Sequence, residues 1–342
     1  MMNDTFLKVL RGEKASYTPI WIMRQAGRYL PEYRRVREKV DFLTLCKTPE
    51  LAATVTLQPV DILGVDAAIL FSDILIPVEA MGMKLEFSEN HGPSLPAPIR
   101  SKELVEKLVI PEPEADLPFV PETIRLLKKS LRAPLIGFSG APFTLATYMI
   151  EGGGSKNFLN TKRMMYLDHG QKLWEGLMSK ITDTVIAYLR AQIRAGADAV
   201  QLFDTWAGAL SPDDFKVYAL PYVRRVIKEL AGLGAPVIYF VNGCAGLLED
   251  VKESGAQAVG IDWRVGIGEA AKRLGKQIVV QGNLDPCALF ASHDEIRRKA
   301  VRILEEARGA KGHVFNLGHG ILPEVPVENA KALVDIVHGW SG

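Results

Sequence analysis

Short apolar runs, rich in β-branched and aromatic residues, recur along the chain between longer stretches in which apolar residues return every three or four positions. Continuous apolar runs of this length are typical of strands that are buried on both faces, as in a parallel sheet. The longer stretches predict amphipathic helices. The pattern predicts eight strands, at 19–24, 67–73, 134–140, 198–204, 236–242, 256–262, 276–283 and 313–319.

Helix-like sequence follows the predicted strands, and this alternation favours an α/β fold with a parallel sheet. Eight repeats favour a closed (β/α)8 TIM barrel, as a single domain over residues 1–342. The alternative is an open doubly wound sheet, which favours a G-x-G-x-x-G turn after the first strand; this chain has Gln25-Ala26-Gly27-Arg28 there. The clearest helices are predicted at 50–63, 170–195, 212–231, 268–274 and 293–307.

Two segments interrupt this alternation. Residues 81–100 alternate, reach the turn-like Glu89-Asn90-His91-Gly92 and alternate again, which predicts a β-hairpin inserted after the second strand. Insertions in the βα loops of barrels usually shape the mouth of the active site. The proline-rich segment 111–121 lies between parts of the same alternation, so it predicts a surface loop rather than a linker.

A polar residue stands at or beside the end of every predicted strand. Because the carboxyl ends of barrel strands face the catalytic pocket, this shared register predicts an enzyme site. For any single residue, the alternative is a strand end that is polar because it reaches solvent. The residues are Arg24, Asp73, Ser139, Asp204, Thr205, Asn242, Asp262, Asn283 and His319.

Three of these positions carry distinct chemistry. Arg24, with Arg28 four residues later, predicts a clamp for carboxylate or phosphate groups, since guanidinium planes bind such groups in bidentate fashion. Asp73 predicts either an anion that offsets positive charge or a helix N-cap. His319 lies between glycines that would let an anion or a flat ligand approach the backbone, although a lone histidine is more often structural. The remaining basic residues of the first cluster are interpreted as a solvated helix face: Arg34, Arg35 and Arg37.

Composition narrows the classes of protein. The 342 residues are 48% hydrophobic and 24% charged, with a formal net charge of +1. This balance argues against disorder and against a nucleic-acid partner bound through overall charge. The chain does not begin with a basic segment followed by an apolar run, and no apolar stretch reaches the ~18–20 residues of a membrane helix. Three separated cysteines fit a reducing compartment, so we expect a cytoplasmic protein without a membrane partner.

Residues that ligate metals form no familiar pattern. The six histidines include no H-E-x-x-H motif. Cys244 and Cys287 follow predicted strands, and with a third ligand they could hold zinc at the mouth of a barrel. Two ordinary small residues are the simpler interpretation, so we predict no metal.

Five segments point to a known family. They are MRQAGRYLPEY at 23–33, FSDIL at 71–75, YMIEGGGS at 148–155, FDTWAG at 203–208 and NLGHG at 316–320. In this order, across the whole chain, they closely resemble the uroporphyrinogen decarboxylases. The resemblance implies a homodimeric barrel enzyme of tetrapyrrole (haem) biosynthesis that needs no cofactor. Its reaction would remove four acetate carboxyls from uroporphyrinogen III as CO₂, leaving methyl groups and giving coproporphyrinogen III.

The same resemblance implies roles for individual residues. Arg24 and Arg28 would hold substrate carboxylates, and Arg24 would lie near the reacting acetate. Asp73 would accept hydrogen bonds from the pyrrole N–H groups at the centre of the macrocycle. These three are the expected catalytic residues. The rest of the substrate-binding set would be Gln25, Ala26 and Gly27, which belong to a loop that contributes its backbone, with Tyr148, Thr205 and His319.

Two positions depart from the family pattern. Thr205 stands where many relatives carry serine, which keeps a hydroxyl, and Asn242 stands where many relatives carry the lysine of a Lys-Gly pair. The similar zinc-dependent methyltransferases, which act on cobamide carriers, use His-x-Cys after strand five, whereas this chain has Asn242-Gly243-Cys244. That enzyme class is one alternative, and a non-catalytic tetrapyrrole-binding barrel is another.

Overall fold

One parallel sheet dominates the computed structural model, which describes residues 3–88, 92–167 and 170–341. The strands there are β1 (Ala68–Ile69), β2 (Glu86–Ser88), β3 (Gly92–Ser94), β4 (Leu135–Gly140), β5 (Ala199–Asp204), β6 (Val237–Val241), β7 (Ala258–Gly260), β8 (Val279–Leu284) and β9 (His313–Leu317). Seven pair in parallel in the order β1-β4-β5-β6-β7-β8-β9, while β2 and β3 form a separate antiparallel pair. The predicted α/β alternation is therefore confirmed.

Helices connect the successive parallel strands. They are α1 (Thr5–Leu10), α2 (Pro31–Arg37), α3 (Phe42–Lys47), α4 (Pro49–Leu63), α5 (Ile76–Ala80), α6 (Lys102–Lys107), α7 (Pro113–Asp116), α8 (Phe119–Ser130), α9 (Pro142–Glu151), α10 (Leu159–Tyr166), α11 (Gly170–Ala195), α12 (Pro212–Tyr218), α13 (Leu220–Leu230), α14 (Leu248–Lys252), α15 (Ile267–Leu274), α16 (His293–Glu306) and α17 (Val327–His338). Short 3₁₀ turns lie at Ala207–Ala209, Cys244–Gly246, Pro286–Phe290 and Ala307–Gly309. None of the helices in the described ranges is long and apolar enough to cross a membrane.

The apolar runs form buried strands, as predicted. Every residue of β4 and of β6 is buried, because helices cover the sheet. The helix predicted at 50–63 is α4, which begins with Pro49 in its first turn and ends at Gly64, a left-handed residue with φ of 73°. The helix predicted at 212–231 is two helices, since Pro221 cannot donate the hydrogen bond that would continue α12 into α13.

The strand predicted at 19–24 is wrong for most of its length. Only Ile20 bridges a strand, pairing in parallel with Phe315 of β9. Side-chain oxygens accept from the amides in this segment: Asp66 from Ile20 at 2.8 Å, and Asn316 from Met23 at 2.9 Å. Because these amides bond to side chains rather than to a neighbouring strand, the chain is free to turn at Met23.

The loop predicted at 111–121 is also wrong. It contains α7 and the beginning of α8. Its prolines fit these helices because Pro113 and Pro121 lie in first turns, where a backbone N–H has no partner within the helix. β2 and β3 lie inside the segment predicted as a hairpin, with Glu86 opposite Ser94. The predicted turn residues Glu89, Asn90 and His91 lie outside the described residues.

A line of amide side chains crosses the inside of the sheet. The Trp21 indole donates to Gln281 of β8 at 2.9 Å, and the Gln281 amide donates to Gln201 of β5 at 3.0 Å. Two strands, β6 and β7, separate β5 from β8 in the sheet. A direct hydrogen bond between side chains of β5 and β8 therefore requires the sheet to curl around its interior.

Candidate active site

The carboxyl edge of the curled sheet opens into a cavity of about 1330 Å³. One wall comes from residues 23–43 and the other from the ends of the strands. Most of the second wall is aromatic: Phe71, Phe138, Phe203 and Phe240. The polar groups at the strand ends stand among these rings, where each of them has a large effect on a ligand.

Asp73 provides a carboxylate at the end of the segment that follows β1. The backbone N–H of Leu75 donates to its Oδ1 at 2.8 Å, and the described residues offer it no second hydrogen bond. Its partial exposure opens into the cavity. Burial raises the pKa of Asp73 to about 6, against the opposing effects of the Leu75 hydrogen bond and the charge of Arg24. Asp73 is therefore an anion at neutral pH that keeps room to accept hydrogen bonds from a ligand.

Arg24 stands in an unusual backbone conformation beside the last strand. Its φ of 64° is left-handed, which few residues other than glycine adopt. Its side chain runs along the backbone of Gly320, where an added Cβ would lie only 2.3 Å from the Arg24 Cδ. Gly318 is needed for a similar reason, because a Cβ there would lie 2.5 Å from the backbone nitrogen of Trp263. The glycines that the sequence assigned to ligand approach thus make room for other parts of the protein.

His319 and Tyr148 are neutral hydrogen-bonding groups in the cavity wall. Burial, together with the nearby charges of Arg24 and Arg264, lowers the pKa of His319 to about 4. Burial raises the pKa of Tyr148, and the charge of Asp73 adds to this effect. The Tyr148 ring packs on Trp206 with centroids 5.7 Å apart. At neutral pH the imidazole is therefore uncharged and the phenol keeps its proton.

Known proteins of similar sequence identify the family of this chain. The family model described as uroporphyrinogen decarboxylase (URO-D) matches residues 1–340. The chain belongs to the uroporphyrinogen decarboxylase family. It is 57% identical to the uroporphyrinogen decarboxylase of Desulfotalea psychrophila over 340 residues, covering 99% of both chains. Its identity to that of Geobacter sulfurreducens is 54% over 342 residues, again covering 99% of both.

The fold extends beyond this family. A methyltransferase from Methanosarcina mazei matches with a TM-score of 0.78 at 22% identity, covering 98% of this chain and 97% of the other. A B12-independent methionine synthase from Shewanella sp. W3-18-1 matches with a TM-score of 0.58 at 14% identity, covering 87% and 90%. At these identities the likeness concerns the fold alone.

The structure brings most of the predicted site residues to the cavity. Those that line it are Arg24, Ala26, Gly27, Arg28, Asp73, Tyr148, Thr205 and His319. Gln25 is the exception, since its side chain is fully buried. Its Oε1 accepts from the Ile22 amide and its Nε2 donates to the Ala67 carbonyl, both at 3.0 Å. The backbone N–H of Gln25 donates to the Ile22 carbonyl, and the Gln25 carbonyl accepts from the Tyr29 hydroxyl. Gln25 therefore stabilises the loop from its buried side.

Other polar strand ends serve the interior rather than the cavity. Asp204 is buried, accepting from Thr144 of α9 and from the Tyr239 hydroxyl of β6, both at 2.6 Å. Burial raises the pKa of Asp204 to about 6. It ties the end of β5 to the first turn of α9, the helix that carries Tyr148. The sequence predicted that a polar strand end either belongs to an enzyme site or reaches solvent, and Asp204 does neither.

The sequence interpretation of Arg37 is wrong. Arg37 lines the cavity, whereas Arg34 and Arg35 are exposed on the helix surface. The spacing contains a signal for this difference, because Arg37 is four residues after Tyr33 and shares its face of α2. Tyr33 is buried against Phe71, with ring centroids 5.6 Å apart, so that face of the helix points to the cavity.

The two thiols considered for zinc lie in different surroundings. Cys244 is buried and its amide donates to Asp262 at 2.9 Å, while Cys287 is exposed. No group of three His, Cys, Asp or Glu residues in the described ranges is arranged to hold a metal ion.

We expect Gly320→Ala to displace the Arg24 side chain. The new Cβ would start 2.3 Å from the Arg24 Cδ, so that carbon must retreat by about 1 Å or more to reach normal contact. A crystal structure of the variant measures the shift. Gly309→Ala is the matched control, because its Cβ would meet no heavy atom within 4 Å. An unmoved Arg24 in Gly320→Ala would contradict the packing described for these residues.

Proposed function

We propose that this chain removes the four acetate carboxyls of uroporphyrinogen III as CO₂ and releases coproporphyrinogen III. The observation that carries the proposal is the carboxylate of Asp73, which lies near Arg24 at the strand ends of a wide cavity with aromatic walls. Membership of the family, at identities of 52% to 57% with the relatives compared, supports the same activity.

Substrate binding uses opposite charges at two places. Asp73 accepts hydrogen bonds from the pyrrole N–H groups at the centre of the macrocycle. Arg24 and Arg28 bind acetate or propionate carboxylates at its edge, where a guanidinium plane bonds both carboxylate oxygens. Thr205, Tyr148 and His319 bond the substrate's side chains, and the backbone of Ala26 and Gly27 borders them. The cavity is larger than the ~300–1,000 Å³ that is common for small ligands, as a tetrapyrrole requires.

The chemistry needs an electron sink, and the pyrrole ring supplies it. A proton added to a ring carbon makes the ring a cation. The bond between the acetate methylene and its carboxylate then breaks, CO₂ leaves, and the bonding electrons neutralise the ring. A second proton converts the methylene to methyl, and the first proton departs as the pyrrole re-forms. Asp73 stabilises the cation because a fixed charge is most effective in a water-poor site, so no cofactor is required.

Neutral His319 suits this arrangement. An uncharged imidazole adds no positive charge beside the cationic ring, yet it still exchanges hydrogen bonds with a carboxylate or a water molecule. Its low pKa of about 4 keeps it so at the pH of the reaction.

We further propose that the sheet closes into an eight-stranded barrel in one domain over residues 1–342, with β2 and β3 as a hairpin at the mouth. Support comes from the first segment, where Ile20 pairs with Phe315 and its carbonyl accepts from Asp66, beside β1. Exposed apolar residues at the end of α10 and on α12, Tyr166, Leu167 and Val217, offer a face for the homodimer. A crystal structure tests these points; a gap between β1 and β9, or monomers without a shared face, would contradict them.

The place of action that we propose is the cytoplasm. Cys46 and Cys244 are buried and Cys287 is exposed, and all three are free thiols, as is usual in a reducing compartment. Cell fractionation that finds the protein outside the soluble cytoplasmic fraction would contradict this.

The activity is tested by anaerobic incubation of metal-stripped protein with uroporphyrinogen III and chromatography of the oxidised products. We expect stepwise appearance of hepta-, hexa-, penta- and tetracarboxylate porphyrins without added cofactor. Folded protein that binds the substrate but releases no CO₂ would instead be a tetrapyrrole-binding protein. Activity that requires zinc and a methyl acceptor would indicate the methyltransferase class.

Asp73→Asn is expected to lower kcat/KM by about 10²-fold or more, since the amide removes the charge that faces the cationic ring. Because the pKa of Asp73 is about 6, the rate of the unchanged protein should fall as pH decreases below that value. The variant should lack this acidic limb. Rates over pH 5–8 measure both effects.

Asp285→Asn provides the control. Asp285 accepts from the amide two residues later, as Asp73 does, but lies outside the cavity lining. Near-normal turnover in Asp73→Asn, or an unchanged pH profile, would remove Asp73 from the reaction.

A further inference from the structure

The positive charges of the cavity lie on one side. Those in its described lining are Arg24, Arg28, Arg37 and Lys39, and all come from the wall formed by residues 23–43. The opposite wall, at the ends of β4 to β6, presents aromatic rings, Tyr148 and Thr205. A substrate with carboxylates around its whole circumference needs a partner on that side too, because an unpaired carboxylate against an apolar wall is costly.

Arg264 lies just beyond this uncharged wall, after β7. Its Nη1 donates to Asn242 Oδ1 at 3.0 Å. Asn242 directly follows β6, which ends at Val241, so it lies at the carboxyl edge of the sheet, where the cavity opens. The residue that orients Arg264 is therefore at the cavity end of the strand.

A stacking contact also holds the guanidinium in place. It stacks on the ring of Trp263 at 4.2 Å from the ring centroid, a favourable cation–π position. The backbone nitrogen of Trp263 in turn lies against Gly318, next to His319. The charge of Arg264 is close enough to His319 to lower the pKa of that imidazole, and His319 lines the cavity. Arg264 is therefore adjacent to the site while 48% of its side chain stays exposed.

The Arg264 guanidinium is not needed to satisfy the hydrogen bonding of the carboxylate beside it. Asp262, its acidic neighbour at 3.4 Å, already accepts from the amides of Gly243, Cys244 and Arg264 itself. The carboxylate would stay satisfied without the arginine side chain. In the described ranges only Nη1 has a hydrogen-bond partner, so Nε and Nη2 are free to donate to a ligand.

We propose that Arg264 is a specificity-determining residue that binds a peripheral carboxylate of the substrate at the side of the cavity beyond the ends of β6 and β7. The subsite consists of the Arg264 guanidinium, oriented by Asn242 and Trp263, with neutral His319 beside it. It takes an acetate or propionate group of the macrocycle. The inference rests on the proposed function, since the tetrapyrrole defines where the carboxylates lie.

The test combines kinetics with binding. Arg264→Gln should raise KM for uroporphyrinogen III about tenfold with kcat changed less than about twofold, because the lost charge-assisted hydrogen bond holds substrate and transition state alike. Arg264→Lys should recover part of the loss, as a point charge replaces the planar fork. Oxidised uroporphyrin, which cannot react, should bind the glutamine variant more weakly by a similar factor, measured by quenching of tryptophan fluorescence.

Arg308→Gln is the matched control. Arg308 also stacks on a tryptophan, Trp340, at 5.2 Å, but it lies in the turn Ala307–Gly309 before β9, at the end of the strand away from the cavity, so KM and uroporphyrin affinity should stay unchanged. In addition, ¹³C-labelled histidine should show a higher pKa for His319 in Arg264→Gln, since a nearby positive charge is gone.

Three outcomes separate the inferences. Unchanged KM and unchanged uroporphyrin affinity in Arg264→Gln would overturn the carboxylate subsite, while the decarboxylase activity of the unchanged protein would stand. A similar loss in Arg308→Gln would overturn it as well, because the effect would then be general. If the unchanged protein binds uroporphyrin but releases no CO₂, the binding comparison still decides the role of Arg264 and only the proposed activity fails.

Discussion

One partly buried carboxylate, Asp73, imposes the main constraint on this structure. A charge inside an aromatic cavity is unfavourable unless something compensates it, and the protein supplies only the Leu75 amide and the nearby Arg24. The compensation is incomplete, which is why the pKa stays near 6 rather than at the value of a free carboxyl. In our account the pyrrole N–H groups of the substrate supply the remaining compensation for the Asp73 charge. The site is thus arranged for a ligand that presents hydrogen-bond donors at its centre and acceptors at its edge.

Arg24 meets this constraint through its backbone. Its left-handed turn follows Met23, whose amide bonds to the Asn316 side chain, and the Arg24 side chain passes over Gly320. Distant parts of the chain therefore fix one side chain. The interior line from Trp21 through Gln281 to Gln201 holds the same segment against the opposite strands. The site and the curl of the sheet depend on each other, because residues 19–24 contribute to both.

Much of this fold was predictable from local pattern. β4, β5, β6, β8 and β9 formed where apolar runs lie, since burial on both faces leaves a continuous signal. Residues 19–24 misled because the oxygens that accept from the Ile20 and Met23 amides belong to the side chains of Asp66 and Asn316, far away in sequence. Gln25 belongs to the most specific motif, at 23–33, yet its hydrogen bonds to Ile22 and Ala67 arise only in the folded structure. Arg264 has no sequence signal at all, because its importance arises from the uncharged wall beside it.

The central claim is that Asp73 holds the macrocycle through its pyrrole N–H groups. A crystal structure of the protein with coproporphyrinogen III, grown without oxygen, tests it most directly. The account predicts pyrrole nitrogens about 2.7–3.2 Å from the Asp73 carboxylate, with propionate groups on Arg24 and Arg28. A macrocycle bound with its N–H groups turned away from Asp73, leaving that carboxylate with the Leu75 amide alone, would contradict it.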